Sequence, residues 1–221
     1  MPIERYINSD RLNYHMVENI NNIKLEIIGL FRNNYLNQFH IREMAKLIGK
    51  SHVSLLPHLK KFEKDKILLF KQVGKSKVYS INFNNNQVRE FLSLGEKKKT
   101  LEFLNKEFFI KKVYDEFINN NLNGCLILFG SYASGNTTNE SDIDLLYIGK
   151  MKESEKKKIK EFGKTYRKEI HLVVMPLKQF NEQLSKHGLL IKEIIKNHII
   201  LYNHDIFINL VWNYYYEKRE R

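Results

Sequence analysis

The stretch CLILFGSYASGNTTNESDIDLLYIG, Cys125 to Gly149, sets the tightest limit on what this chain can become. Its first apolar run stops at Gly130-Ser131, and ten residues later Asp142 and Asp144 stand one residue apart inside a second apolar run. Both runs have the length and composition of buried strands. Alternate residues of a strand share a face, so the two carboxylates point the same way. Like charges side by side in an apolar setting repel each other and lose hydration, so the pair requires a positive partner.

Around this stretch the C-terminal half alternates strand and helix. Strands are predicted at Cys125 to Phe129, Ile143 to Ile148 and Ile170 to Met175, with the Lys-rich helix KESEKKKIKEFGKTYRK between the last two and KQFNEQLSKHGLLIKEIIKNHIILY after them. Upstream, Leu101, Leu104, Phe108, Phe109, Val113, Phe117 and Ile118 make the apolar stripe of one long helix that ends at NNNLNG. The tail DIFINLVWNYYYEKRER reads as a final helix whose aromatics either cover the core or make a subunit contact, the latter a route to a homodimer. Cys125 heads an apolar strand and reads as core, not as a nucleophile.

The N-terminal half has a different rhythm. Residues 1 to about 18 show no clean periodicity and stay unassigned. Helical spacing begins at Asn22, with Ile23, Ile27, Ile28, Leu30 and Phe31, and resumes from Ile41 to Leu47 before Gly49. A third helix carries Val53, Leu55, Leu56, Leu59 and Phe62. Pro57 would remove a hydrogen bond from a helix continuous from Ser51, so the regular part is expected to start with Ser54 as N-cap and Pro57 in its first turn. The period then changes to two in ILLFKQV and KVYSINF, joined through Gly74, which reads as a β-hairpin. The stretch NNNQVREFLSLGEKKKT reads as the junction between the halves.

Three short helices followed by a hairpin is the order of a winged helix-turn-helix, which the segment IREMAKLIGKSHVSLLPHLKKFEKDKILLFKQVGKSKVYSINF resembles over its whole length. That resemblance implies DNA contacts from Ser51, His52, Ser54, His58, Lys60 and Lys61 on the third helix and from Lys75 and Lys77 on the wing. His52 and His58 are six residues apart with no Cys beside them, which is not a metal-ligand spacing.

The joint pattern of strand, GSYASG, fixed gap and SDIDLL resembles the DNA polymerase beta-like nucleotidyltransferase superfamily, in particular its minimal members, from about Leu101 to Tyr202. The resemblance implies that Gly130, Ser131 and Ser134 hold the phosphates of a nucleoside triphosphate, ATP by preference, and that Asp142 and Asp144 bind Mg²⁺ or Mn²⁺. The residue types agree with that chemistry. Glycine at a strand end allows a sharp turn and close ligand approach, and hard carboxylate oxygens suit Mg²⁺. Active members carry a third carboxylate on the next strand, but KEIHLVVMP has no Asp. His171 is the position that best matches it, and Glu169 lies two residues earlier on the same face. Either could assist the attacking hydroxyl, or His171 could be structural at a site that has lost its chemistry.

The net charge of +12 and a pI near 9.5 fit a polyanionic partner, although Lys, Asn and Ile are abundant throughout the chain. No segment approaches the roughly 20 apolar residues that span a bilayer, the N-terminus lacks a secretory pattern and the single Cys excludes an internal disulfide, so a cytoplasmic setting is expected. The expected architecture is an α/β, or α+β, two-domain protein: a winged helix-turn-helix at 20–90, a nucleotidyltransferase domain at 97–205 with a small mixed sheet flanked by helices, and a helical tail at 206–221. The expected activity is Mg²⁺-dependent transfer of a nucleoside monophosphate to a hydroxyl acceptor. The alternatives are a DNA-binding regulator whose degenerate second domain senses nucleotide, and an antitoxin-like transferase acting on a protein acceptor.

Overall fold

The computed structural model describes residues 22–119, 123–138 and 141–220. The unassigned first 18 residues lie outside them, as do residues 120–122 of the NNNLNG segment. The chain divides into two compact units, residues 1–98 and 99–221.

In the first unit, helix α1 (Asn22–Gly29) buries Leu25, Ile27 and Ile28, and the turns after it bury Phe31 and Tyr35. Strand β1 (Phe39–His40) leads into α2 (Ile41–Ile48). That helix opens with the Glu43 carboxylate accepting from the His40 N–H at 3.4 Å and closes at Gly49, whose φ of +71° places its N–H on the Ala45 and Lys46 carbonyls. Helix α3 (His52–Lys64) is capped by Ser51, which accepts from the Ser54 N–H at 3.2 Å. The expected start at Ser54 is therefore corrected: Pro57 lies inside the helix. Ser54 is the third helical residue, its hydroxyl bonded back to the Ser51 carbonyl. Leu55, Leu59 and Phe62 anchor the turns on either side of Pro57 in the core, and their burial outweighs the one missing bond. Strands β2 (Leu68–Val73) and β3 (Ser76–Ile81) form the expected hairpin, and β1 adds to it in the antiparallel order β1-β3-β2.

The stretch read as a junction is helical. Helix α4 (Gln87–Leu104) runs through it, and the division between the units falls inside the helix. Two of its buried polar residues have partners in the chain: the Arg32 guanidinium donates twice to Glu96, both bonds 2.8 Å, and Thr100 Oγ1 donates to the Ile200 carbonyl at 2.6 Å. The long helix expected beyond it is two, because the chain breaks at 105–107 before α5 (Phe108–Asn119).

The second unit is built on a mixed four-stranded sheet. In chain order after α5 come β4 (Cys125–Phe129), α6 (Gly130–Ser134), β5 (Ile143–Ile148), α7 (Glu153–Thr165), β6 (Ile170–Met175), α8 (Leu177–Ser185), α9 (Leu189–Lys196), β7 (Ile199–Tyr202) and α10 (His204–Arg219). The sheet order is β6-β5-β4-β7, with β5 and β6 parallel and the other pairs antiparallel. Every residue of β4 is buried, as a central strand covered on both faces demands. One face packs Leu126, Leu128, Ile143 and Leu145 against Ile110, Val113 and Phe117 of α5 and Ile159 of α7. On the other, Phe207, Val211, Trp212 and Tyr215 of α10 are buried, and Phe207 meets Phe180 of α8. The tail aromatics thus cover the core, which removes the reason for reading them as a subunit contact. Cys125 is fully buried beside Phe207, and burial pushes its thiol pKa up, so it is core as expected.

Candidate functional site

The parallel register of β5 and β6 decides which side chains meet. Asp144 pairs with His171 and Ile143 with Ile170, and the Ile143 N–H donating to the Glu169 carbonyl at 2.9 Å carries the ladder back one residue. Asp142 and Asp144 therefore share a face of the sheet with Glu169 and His171, while the intervening Ile143 and Ile170 point into the core. The apolar residues of SDIDLL and EIHL do the folding; the alternate ones gather at one spot.

Ligand atoms of Asp142, Glu169 and His171 all lie within 4.8 Å of one another. His171 Nε2 is 3.2 Å from Glu169 Oε1, and its Nδ1 is 3.4 Å from Asp144 Oδ1. None of the four side chains is buried. Partial burial of the imidazole opposes its charge, but bonds to Glu169 and Asp144 and the nearby Asp142 carboxylate outweigh it and hold the His171 pKa above its ordinary value. Among the described residues neither aspartate is paired with a lysine or arginine. The cluster is open, acidic and uncommitted, which a purely structural ion network would not be.

On the other side of Asp144 lies Phe129, its partner across the β4–β5 ladder, followed by Gly130 at a φ of +68°. A Cβ on residue 130 would fall well within van der Waals contact distance of Asp144 Oδ2 and 3.1 Å from its Cγ. Any larger residue would push that carboxylate from its place. Ser131 opens α6 half-exposed, and the Ser134 hydroxyl is turned back to the Ser131 carbonyl at 3.1 Å. Because α6 has five residues, its macrodipole is small and the turn's N–H groups would do most of any anion binding.

The donor set fits a hard divalent cation. Oxygen ligands about 2.1 Å from an octahedral Mg²⁺ are about 3.0 Å apart when adjacent, so the cluster would have to draw together around the ion. Asp142, the expected ligand, has Glu169 and His171 as its nearest companions, with Asp144 behind His171. Strand β6 itself has no aspartate, and the carboxylate of the residue just before it, Glu169, lies in the cluster. Sequence reasoning named both candidates and could not choose, since the choice depends on where β6 enters beside β5.

Beside the cluster, sequence reasoning missed a groove of about 750 Å³ along β6, lined by Lys160, Lys164, Arg167 and Lys168 and by Glu169 and His171 themselves. The i, i+4 spacing of Lys160 and Lys164 was legible, but nothing set it apart from the other lysines of α7.

The residues expected to touch DNA lie in the first unit. His52, Lys60 and Lys75 are exposed, and His58 is half-buried. Lys61 pairs with Asp65 at 3.0 Å, while Lys77 pairs with Glu63 at 2.7 Å and lies 3.7 Å over the Phe70 ring. Those two lysines have acidic partners within the chain.

Residues 110–207 match the family model described as Polymerase beta, Nucleotidyltransferase. This segment covers the four-residue cluster, the Gly130 turn and every strand of the second sheet. No curated protein matches the chain. A solved structure described as "Crystal structure of the toxin-antitoxin with AMP-PNP" is similar to it at 15% identity and a TM-score of 0.36, over 50% of this chain and 86% of that one. A likeness of that size carries no argument. Among the described residues no helix is long and apolar enough to cross a membrane.

Proposed function

We propose that the second unit transfers a nucleoside monophosphate from a nucleoside triphosphate, ATP by preference, to a hydroxyl acceptor. The observation that carries this reading is the gathering of Asp142, Asp144, Glu169 and His171 on one sheet face beside a turn whose backbone favours glycine. Gly130 and Ser131 hold the triphosphate through backbone N–H groups and the Ser131 hydroxyl, and Ser134 fixes the turn. A divalent cation, held by Asp142 and Glu169 with Asp144 close by, supplies neutralisation of phosphate charge when bound.

In the transfer, the acceptor oxygen attacks the α-phosphorus in line and forms the new P–O bond. The bond from that phosphorus to the α,β-bridging oxygen breaks, and its electron pair leaves with pyrophosphate. The acceptor's proton passes to the Glu169 carboxylate, which His171 orients through their 3.2 Å contact. In this role Glu169 does the work of the missing aspartate. Asp142→Asn keeps the side chain's shape and removes its charge; it should abolish Mg²⁺-dependent transfer of label from α-labelled ATP. Wild-type transfer by that variant would reject the mechanism.

A second reading concerns the first unit. The order α1-β1-α2-α3-β2-β3, with a three-stranded sheet ending in a hairpin and a helix pair turning at Gly49, supports a winged helix-turn-helix that binds DNA. Its contacts are drawn from Ser51, His52, Ser54, His58, Lys60, Lys61, Lys75 and Lys77, of which Ser51, His52, Lys60, Lys61 and Lys75 are exposed. A gel shift with duplex DNA, run with and without ATP and Mg²⁺, tests both the binding and any nucleotide-sensing role. Equal mobility of the DNA with and without the protein would reject it.

A further inference from the structure

The outward face of α3 changes chemistry halfway along. Leu55, Leu59 and Phe62 turn into the core, and helical spacing puts Val53, Leu56 and Pro57 on the opposite side in the first two turns and Lys60, Lys61 and Lys64 there in the last two. Val53 is 61% exposed and Leu56 39%. With Pro57 they stand at i, i+3 and i+4, so they make one apolar patch on the surface rather than scattered single residues. Leu47, at the end of α2 before the Gly49 turn, is exposed as well.

The patch has a cationic rim. Lys46, Lys50, Lys60, Lys61 and Lys64 are all exposed, and the one acid between Lys46 and Lys64, Glu63, is turned to Lys77 and Tyr79 of the hairpin at 2.7 and 2.8 Å. Lys50 and Lys61 have acidic partners in Glu26 and Asp65, whereas Lys46, Lys60 and Lys64 have none among the described residues. The complementary surface is anionic at its borders and apolar between them.

Duplex DNA can present such a surface. A recognition helix in the major groove meets base edges with its N-terminal residues, and cationic side chains beyond them meet phosphates. None of residues 51–64 is Arg, Asn or Gln, the side chains that grip guanine or adenine by two bonds, and the lysines begin only at Lys60. The apolar group that a base offers in that groove is the thymine C5 methyl. Beneath Val53 and Leu56, a G·C pair would lose water from its polar edge and gain no partner. An A·T pair loses as much water but buries a methyl in return.

We infer that the exposed apolar face of α3 reads thymine methyl groups in the major groove of duplex DNA, selecting A·T pairs by methyl burial rather than by hydrogen bonds to bases. This rests on the winged helix-turn-helix reading above and names what that unit recognises. Val53 and Leu56 supply the selectivity, while Lys60 and Lys64 supply affinity for phosphates that is blind to sequence.

The test uses the full chain and two fluorescein-labelled A·T-rich duplexes of about 20 base pairs, enough for two turns of groove. They are identical except that uracil replaces thymine throughout one of them, which keeps every hydrogen-bonding group and removes only the methyl. Anisotropy gives the affinities. A buried methyl is worth about 0.8 kcal/mol, or about fourfold, so two contacts should give a preference for thymine of about fifteenfold. Val53→Ser with Leu56→Ser should bind both duplexes about as weakly as wild type binds the uracil duplex. A preference that came from altered DNA shape would survive those substitutions. Both side chains are exposed, so the melting curve should stay close to that of wild type and show that the variant is folded. Lys60→Gln with Lys64→Gln should weaken both duplexes alike, lower the salt slope by about 1.8 for two duplex phosphate contacts, and keep the preference.

A wild-type preference within twofold overturns the inference and leaves DNA binding standing, as does a preference that Val53→Ser with Leu56→Ser leaves unchanged. If no duplex of any composition binds, the winged helix-turn-helix reading fails and the inference falls with it. Binding of a fluorescent acidic amphipathic peptide, lost in the Val53→Ser, Leu56→Ser variant while no duplex binds, would assign the face to a protein partner instead.

Discussion

Gly130→Ala separates the cost of a backbone conformation from the cost of crowding the site. At a φ of +68° any residue with a Cβ is strained, which costs about 1 kcal/mol. The added methyl would also displace the Asp144 carboxylate, and an off-rotamer side chain costs about 0.5–1.5 kcal/mol more. The sum is about 2 kcal/mol, or roughly 5–10 °C in the transition of the second unit. Gly135→Ala is the control, since its φ is +75° but nothing lies within 4 Å of the position of its Cβ. It should lose about 1 kcal/mol and nothing else. Calorimetry gives the stabilities, and Mn²⁺ titration followed by electron paramagnetic resonance gives metal affinity. Gly130→Ala should weaken Mn²⁺ binding and nucleotide transfer at least tenfold, and Gly135→Ala should leave both within twofold. If the two variants matched in both measurements, the placing of Asp144 by Gly130 would be wrong.

Two further predictions concern the scaffold. Glu96→Gln leaves the Arg32 guanidinium without its carboxylate in a mostly buried setting and should destabilise the first unit by about 3 kcal/mol in urea unfolding; a loss below about 1 kcal/mol would mean that water replaces the bond. Tyr215 has its phenol pKa pushed up to about 12 by burial, with the neighbouring Tyr214 adding to the shift. The native state holds that proton more tightly than the unfolded chain, so the contribution is fully present below about pH 10 and is lost as pH rises towards 12. Tyr215→Phe should make the alkaline fall in melting temperature shallower, and an unchanged slope would assign it to other groups.

Much of the secondary structure was legible because it is written in short-range pattern. The three strands at 125–129, 143–148 and 170–175 were readable as apolar runs, and they are strands because a central sheet hides both faces of such runs. The hairpin and α2 were readable from period and turn residues. The strand β7 was not distinguished, because four apolar residues after a helical run look the same as the end of that helix. Helix α4 was read as a junction because its polar residues seemed to need water. Glu96 finds its partner 64 positions away and Thr100 finds the Ile200 carbonyl 100 positions away, and no local rule reports such distances.

The site divides in the same way. Spacing along one strand is enough to tell that Asp142 and Asp144 share a face, since the period of two is a property of the backbone itself. It is enough, too, to mark Gly130 as a turn. That Glu169 stands level with Asp142, that His171 lies against Asp144, and that one row of lysines on α7 borders the same strand are consequences of register between separate strands and of helix rotation against them. Register and rotation come from how whole faces pack, which is a sum over many weak contacts, so they exist only once the sheet has closed.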